Sequence, residues 1–270
     1  MRHRMTTAQP ITYTVEACNL SHASKNKIHD DQVARMLGFS GGLVPGVEVY
    51  AYACHPVVRR WGRDWLAHGR MECRFLKPVY DGRLALVKAA DAQGALEVTV
   101  ESEGVLCATG RAALDASAAV APSIDSYAHR PPPEHRPAAD ETSLAAGTSL
   151  GITPFVLTSD MAAQYLRDIR EADPIYAEEG LAHPGQLLRL CNLVLRQNVA
   201  LPPWIHVGSK VTNFAVAHVG DELAARACVA ANYERKGHRL VDLDIILIAN
   251  GRTVLAHVLH TAVYRLRQLG

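Results

Sequence analysis

Pro45-Gly46-Val47-Glu48-Val49-Tyr50-Ala51-Tyr52-Ala53-Cys54 and Pro184-Gly185-Gln186-Leu187-Leu188-Arg189-Leu190-Cys191 decide how this chain is read. Each is a Pro-Gly pair that opens an apolar stretch, and the two pairs stand 139 residues apart. At the same offset Trp65 falls on Trp204, Phe75 on Phe214 and Leu84 on Leu223. Several landmarks holding one spacing are the mark of an internal repeat. The chain therefore reads as one unit written twice, and its chemistry is to be sought where the copies differ.

Working outward, Val47, Tyr50, Ala51, Cys54, Val57, Val58 and Trp61 recur at three-and-four spacing, which predicts a helix from about Gly46 to Trp61. Before it, Ile11 to Leu20 begins with alternation and β-formers and reads as a strand. The stretch from Ser21 to Val44 is polar, then Gly-rich, with a short helix predicted over Asp31 to Leu37. After the helix, strands are expected near 70–78, 83–90, 96–103 and 105–114, with turns at Asp81-Gly82, Gln93-Gly94 and Glu103-Gly104. The second copy repeats the order. It has a short strand at 153–157, a helix capped by Thr158-Ser159-Asp160, the helix opened by Pro184-Gly185, and strands near 205–216, 222–233, 240–248 and 254–265. One helix followed by an antiparallel meander gives an α+β unit whose sheet wraps around that helix.

Composition narrows the function. Hydrophobic content of 49% and charged content of 20% are those of a soluble globular protein, expected in the cytoplasm, with two compact units that each bury a core. A net charge of +1 supplies no field for nucleic acid or an anionic membrane, and neither is an expected partner. The six cysteines form no Cys-x-x-Cys pair and read as reduced thiols, and no metal site is expected. Met1-Arg-His-Arg-Met5 has charge but no apolar run behind it, so a targeting segment is not expected. The Ala/Pro-rich segment 116–151 reads as a surface linker between units 1–115 and 152–270.

The excursion before the first helix is the informative one. It reads Asn26-Lys27-Ile28-His29-Asp30-Asp31-Gln32-Val33-Ala34, then Gly38-Phe39-Ser40-Gly41-Gly42-Leu43-Val44-Pro45-Gly46. This resembles the MaoC-like family of hotdog-fold proteins, which includes the (R)-specific enoyl-CoA hydratases. The resemblance implies a double hotdog, two α+β repeats with sheets joined edge to edge. It also implies an acyl thioester of coenzyme A or acyl carrier protein as substrate, with no further cofactor.

By that resemblance His29 matches the catalytic histidine, Gly46 supplies the backbone donor at the helix start, and Asn26 and Val44 are substrate-binding positions. The family's catalytic aspartate matches Ser24, which is not a base near neutrality. Asp31 stands two residues from His29 and either assists it or caps the short helix. His22 is another replacement base. Arg74 and Lys77, with Arg59, Arg60 and Arg63, are in position to meet the carrier's phosphates or are simply solvated. In the second copy Glu171 falls at the aspartate position and Tyr176 at the histidine position, with His183 just before Pro184. Tyr176 marks that copy as the inactive one, although a Glu171/His183 site is an alternative. His257 and His260 are three apart on a strand and face opposite sides, against metal binding. The expected activity is hydration of a 2-enoyl thioester or its reverse. A hotdog thioesterase and a non-catalytic thioester binder are the alternatives, and pairing of the chain into a homodimer is left open.

Overall fold

The computed structural model describes residues 10–21, 27–114 and 119–267. In the first half, β1 (Ile11–Glu16) and the short α1 (Asp31–Met36) precede the long α2 (Gly46–His68). Strands β2 (Gly69–Phe75), β3 (Leu84–Ala92), β4 (Ala95–Ser102) and β5 (Val105–Leu114) follow. The second half has β6 (Ser149–Gly151), β7 (Phe155–Val156), α3 (Ser159–Asp168), α4 (Ile175–Glu178) and α5 (Pro184–Asn198). It ends in β8 (Ile205–Asn213), β9 (Glu222–Arg235), β10 (His238–Ala249) and β11 (Thr253–Arg265).

All strands join one antiparallel sheet in the order β1-β3-β4-β5-β2-β8-β11-β10-β9-β6, with β7 paired to β9. The first five positions and the last five are the same sequence of elements run in opposite directions. The halves therefore meet edge to edge at β2 and β8, where Cys73 pairs with Ser209 and Glu72 with Lys210. This junction uses up an edge that a single unit would leave open. The meander's tight turns have positive φ at both central residues, as at Gln93 (51°) and Gly94 (77°) or Lys236 (54°) and Gly237 (78°). That is the twist-matched hairpin turn, and Gly at its second position is what made it readable.

The structure departs from expectation in four places. Units with separate cores were expected, but one apolar cluster runs through both halves, holding Val47, Tyr50 and Cys54 together with Leu188, Cys191 and Val194. The cause is that α2 and α5 pack on each other, with Ala51 lying against Gly185. The linker segment 116–151 ends in a strand, because β6 pairs with β9. Its Ile124 and Tyr127 cover an apolar patch around Ile246 and Ile248 on the far side of the sheet. Finally, α2 continues past Trp61 to His68 through a break at Gly62 (φ 56°, ψ −140°), which redirects its last turn.

Near the junction of the halves, His206, Ser209 and His260 form a buried chain. The His206 Nε2–H donates to the Ser209 hydroxyl at 2.8 Å and the Gly208 carbonyl at 3.1 Å. Ser209 passes its own proton toward His260 Nδ1 at 2.9 Å. Burial pulls His260 down to about 3 and His206 well below the ordinary histidine value. Both rings are therefore neutral when folded but take up protons when unfolded, so stability is lost as pH falls below about 6.5. We expect denaturation free energies to drop by up to about 1.4 kcal/mol per pH unit for each ring. A His260→Asn variant should show a shallower slope, and a flat wild-type profile between about pH 6.5 and 5 would contradict the assignment.

Candidate active site

Both central helices begin with an amide that has no partner within its own helix, and such an amide is a ready donor to a developing oxyanion. The two halves treat that amide differently. Before α5, His183 is the N-cap residue, and its Nδ1 accepts the Gly185 N–H at 3.0 Å. Gly185 is also sealed from above, since a Cβ there would lie 2.4 Å from the Tyr165 hydroxyl and 2.5 Å from the Ala51 Cβ. Before α2 stands Pro45, which makes no side-chain cap. Gly46 is partly exposed, and among the described residues its N–H takes no backbone or side-chain acceptor. Its other side is closed, because a Cβ would lie 2.9 Å from His206 Nδ1 and 3.1 Å from the Phe75 ring. Only glycine fits there.

The histidines differ in the same sense. His29 is buried and its Nδ1 lies 2.6 Å from the Leu43 carbonyl, three residues before Gly46. A carbonyl only accepts, so Nδ1 carries the proton and the lone pair is on Nε2. In His183 the Nδ1 lone pair is committed to Gly185, which puts the proton on Nε2, facing Glu171 at 3.6 Å. Among the described residues the first half thus has a glycine amide without an acceptor near a histidine that donates to the backbone, while in the second half the histidine itself accepts the glycine amide.

Glu171 is nevertheless the centre of a well-built cluster. His55 Nδ1 donates to its carboxylate at 2.8 and 3.1 Å, and the Asp173 N–H donates at 2.7 Å. Tyr13 stacks on His55 with ring centroids 3.8 Å apart, and the Tyr176 ring lies 4.7 Å from His183. Burial opposes the carboxylate's charge, but the facing His183 and His55 and the Asp173 amide outweigh it and hold the group well below its usual range. Burial also lowers His183, which keeps it neutral. The cluster ties β1 and α2 of the first half to the loop before α4. These contacts hold the two halves together, so Glu171→Ala is expected to cost about 3 kcal/mol while leaving turnover per folded molecule unchanged. Denaturant melts alongside initial rates check this, and a rate lost in step with stability at temperatures well below the melt would contradict it.

By sequence, no family model and no curated protein matches the chain. Its architecture does have counterparts among solved structures. It is similar to a conserved Mycobacterium tuberculosis protein described as having a double hotdog fold, at TM-score 0.65 and 15% identity, over 96% of each chain. The chain is a double hotdog. The same architecture is shared with a candidate MaoC domain protein dehydratase from Chloroflexus aurantiacus J-10-fl, at TM-score 0.65 and 10% identity, over 97% of this chain and 96% of that one. It also matches a candidate thioesterase II from Thermobifida fusca YX, at TM-score 0.53 and 16% identity, over 95% and 92%.

Within this double hotdog the sequence-derived residues separate. His29, Val44 and Gly46 gather at the start of α2, where the Val44 N–H is fixed by the Val79 carbonyl at 2.9 Å. Ser24, Asn26 and His22 lie outside the described residues. Asp31 is not the helix cap. The helix cap is Asp30, which accepts from the Gln32 and Val33 amides, and Asp31 instead accepts the Gly42 N–H at 2.7 Å and faces Arg35 at 3.6 Å. Asp31 thereby fixes the glycine turn leading to Leu43. Arg74 is also reassigned. On β2, Met71 and Cys73 point into the core, so Arg74 lies on the opposite face, where it bonds Glu72 at 2.8 and 2.9 Å. Lys77 is exposed. Arg60 faces Asp91 and Arg63 pairs with Glu179. His257 is held by Asp244 at 2.7 Å while His260 is buried, so the two do face opposite sides. His55 was missed, because an isolated histidine in a helix gives no sign of a partner 116 residues away.

Proposed function

We propose that this double hotdog acts on an acyl thioester at the start of α2, adding water to a 2-enoyl group or removing it from a 3-hydroxyacyl group. The observation that carries the reading is the contrast between the two helix starts. Among the described residues the Gly46 N–H takes no acceptor and His29 donates from Nδ1 to the Leu43 carbonyl, whereas the Gly185 N–H is already taken by His183 Nδ1. In this reading His29 takes a proton from water as its oxygen bonds to C3. The Gly46 N–H and the α2 dipole hold the negative charge that moves onto the thioester oxygen, and as that enolate collapses C2 takes back the proton held on His29, so that one water is added and the ring is reset. Similarity in fold to a dehydratase and to a thioesterase supports thioester processing and leaves the choice of reaction to the site.

The test follows enoyl absorbance and free thiol together, with crotonyl-CoA, a medium-chain trans-2-enoyl-CoA and the matching carrier-protein thioesters. Loss of enoyl absorbance without thiol release is the expected result. Thiol release would assign hydrolysis instead, and absence of both signals with every thioester would sink the reading.

A further inference from the structure

A cleft of about 720 Å³ lies between α3 and α5, with the first turn of α2 at its floor, and polar groups gather there without satisfying one another. On α5, Gln186, Arg189, Asn192 and Arg196 stand three or four residues apart and so share the face that lines the cleft. Glu48 of α2 is 1% exposed, and neither carboxylate oxygen has a hydrogen-bond partner among the described residues. Gln186 donates from its amide to the Met161 carbonyl at 3.3 Å, yet its Oε1 and the Asn192 Oδ1 are buried without a donor. Buried acceptors are ordinarily paired, so the floor of this cleft is short of donors.

The cleft also carries positive charge. Arg189 lies 3.3 Å from one Glu48 oxygen, sits over the Tyr165 ring and is partly open to solvent. The pair is loose, and burial pushes the Glu48 carboxyl up to about 7 against the pull of Arg189 and of its own backbone N–H. Two turns further along α5, Arg196 is partly buried, and burial, then the guanidiniums of Arg189 and Arg136, lower its pKa with no acidic group to offset them. Phe155, Met161, Leu190 and Leu193 supply apolar wall. Neither His29 nor Gly46 lines the cleft, which is therefore separate from the start of α2 where the thioester is placed.

We infer that this cleft binds a small zwitterion, an α-amino acid with an apolar side chain. Its ammonium supplies the donors that Glu48, Gln186 and Asn192 lack, and its carboxylate meets Arg189 and Arg196. An amine alone would bring a second cation against Arg189, and a carboxylate alone would bring a second anion against Glu48. A zwitterion enters the pair with no net charge, and in an α-amino acid one carbon joins the two groups, so both partners are met side by side. The apolar side chain then lies along Phe155, Leu190 and Leu193. Because α2 belongs to the first half and α3 and α5 to the second, the bound ligand ties the halves together.

The experiment titrates the full chain calorimetrically with each of the standard amino acids and follows the melting temperature. Saturable binding of an apolar member such as leucine is expected, with a melting temperature that rises with its concentration. Isoamylamine and isocaproate, which each keep one of leucine's two charged groups, should bind at least about tenfold more weakly. Glu48→Gln should abolish the leucine-dependent rise, while melting without ligand at or above the wild-type temperature, since a buried charge without a hydrogen bond has been removed. Arg196→Gln should weaken leucine and leave isoamylamine unchanged. A butyryl-CoA analogue in which methylene replaces sulfur should leave bound leucine in place. Failure of every amino acid to bind overturns the inference, as does binding that survives Glu48→Gln or that the coenzyme A analogue displaces. Isoamylamine binding as tightly as leucine would also overturn it, in favour of a plain cation site. The thioester reading is decided separately, by turnover of enoyl thioesters.

Discussion

Replacing His29 with asparagine is expected to lower the rate of enoyl-thioester hydration by roughly 10²- to 10⁴-fold, the range for loss of a positioned proton-transfer group. Asparagine is the informative choice because its amide nitrogen overlies the histidine Nδ1. It keeps a donor for the Leu43 carbonyl, 2.6 Å from the native ring, and removes only the Nε2 end. The fold around Ile28 and Leu43, which share a small apolar cluster with Ala34, should therefore persist. The melting temperature is expected to stay close to wild type while kcat collapses. Full activity in the asparagine variant would show that Nε2 takes no part. A parallel loss of structure and rate would mean that the ring serves packing alone.

The largest effect on stability is expected from Trp65→Ala, about 3–5 kcal/mol, as for other buried aromatics reduced to alanine. Trp65 has no solvent exposure and lies in the last turns of α2, beyond the break at Gly62. Its ring fills the space over Gly69, where a Cβ would lie only 2.0 Å from it. Its indole N–H reaches the Arg70 carbonyl at 3.4 Å, and its own carbonyl accepts from the Asn213 side chain of β8 at 3.1 Å. One residue thus anchors the helix end, the first strand of the meander and the neighbouring half. Denaturant midpoints with an unchanged slope would report the loss, and a change under about 1 kcal/mol would show that the site collapses to fill the space.

How much of this was legible follows from how local each cause is. The hairpins were readable because a two-residue turn with positive φ calls for glycine at its second position, and Gln93-Gly94, Glu103-Gly104 and Lys236-Gly237 comply. The repeat was readable because packing around a central helix constrains the same apolar positions twice. Trp65 and Trp204 keep one offset, yet α2 runs through Trp65 to His68 whereas α5 stops at Asn198, before Trp204. Local spacing does not reveal that Gly62 bends a helix without ending it. Nor does it distinguish Asp30 from Asp31 as the cap, since both have the right chemistry and the backbone decides.

The site was partly legible for the same reason. His29 and Gly46 belong to one continuous run that a family pattern can match. The Glu171 cluster draws its histidines from α2 and from the N-cap of α5, so no short window contains it. Glu48 stands two residues from Gly46 in plain view, but only packing makes it unusual. A glutamate in the first turn of a helix is ordinarily a solvated partner of the dipole. Here Arg189, Tyr165 and the second half of the chain enclose it.

The central claim is that the thioester docks on the start of α2 and that the start of α5 is closed. Assigned amide NMR of the full chain, titrated with the methylene analogue of butyryl-CoA, tests it most directly. The account predicts that the Gly46 amide resonance moves to saturation with the ligand, as a newly made hydrogen bond requires, while that of Gly185, already bonded to His183, stays in place. Saturable movement of Gly185 with Gly46 unmoved would contradict the account and put the site in the second half.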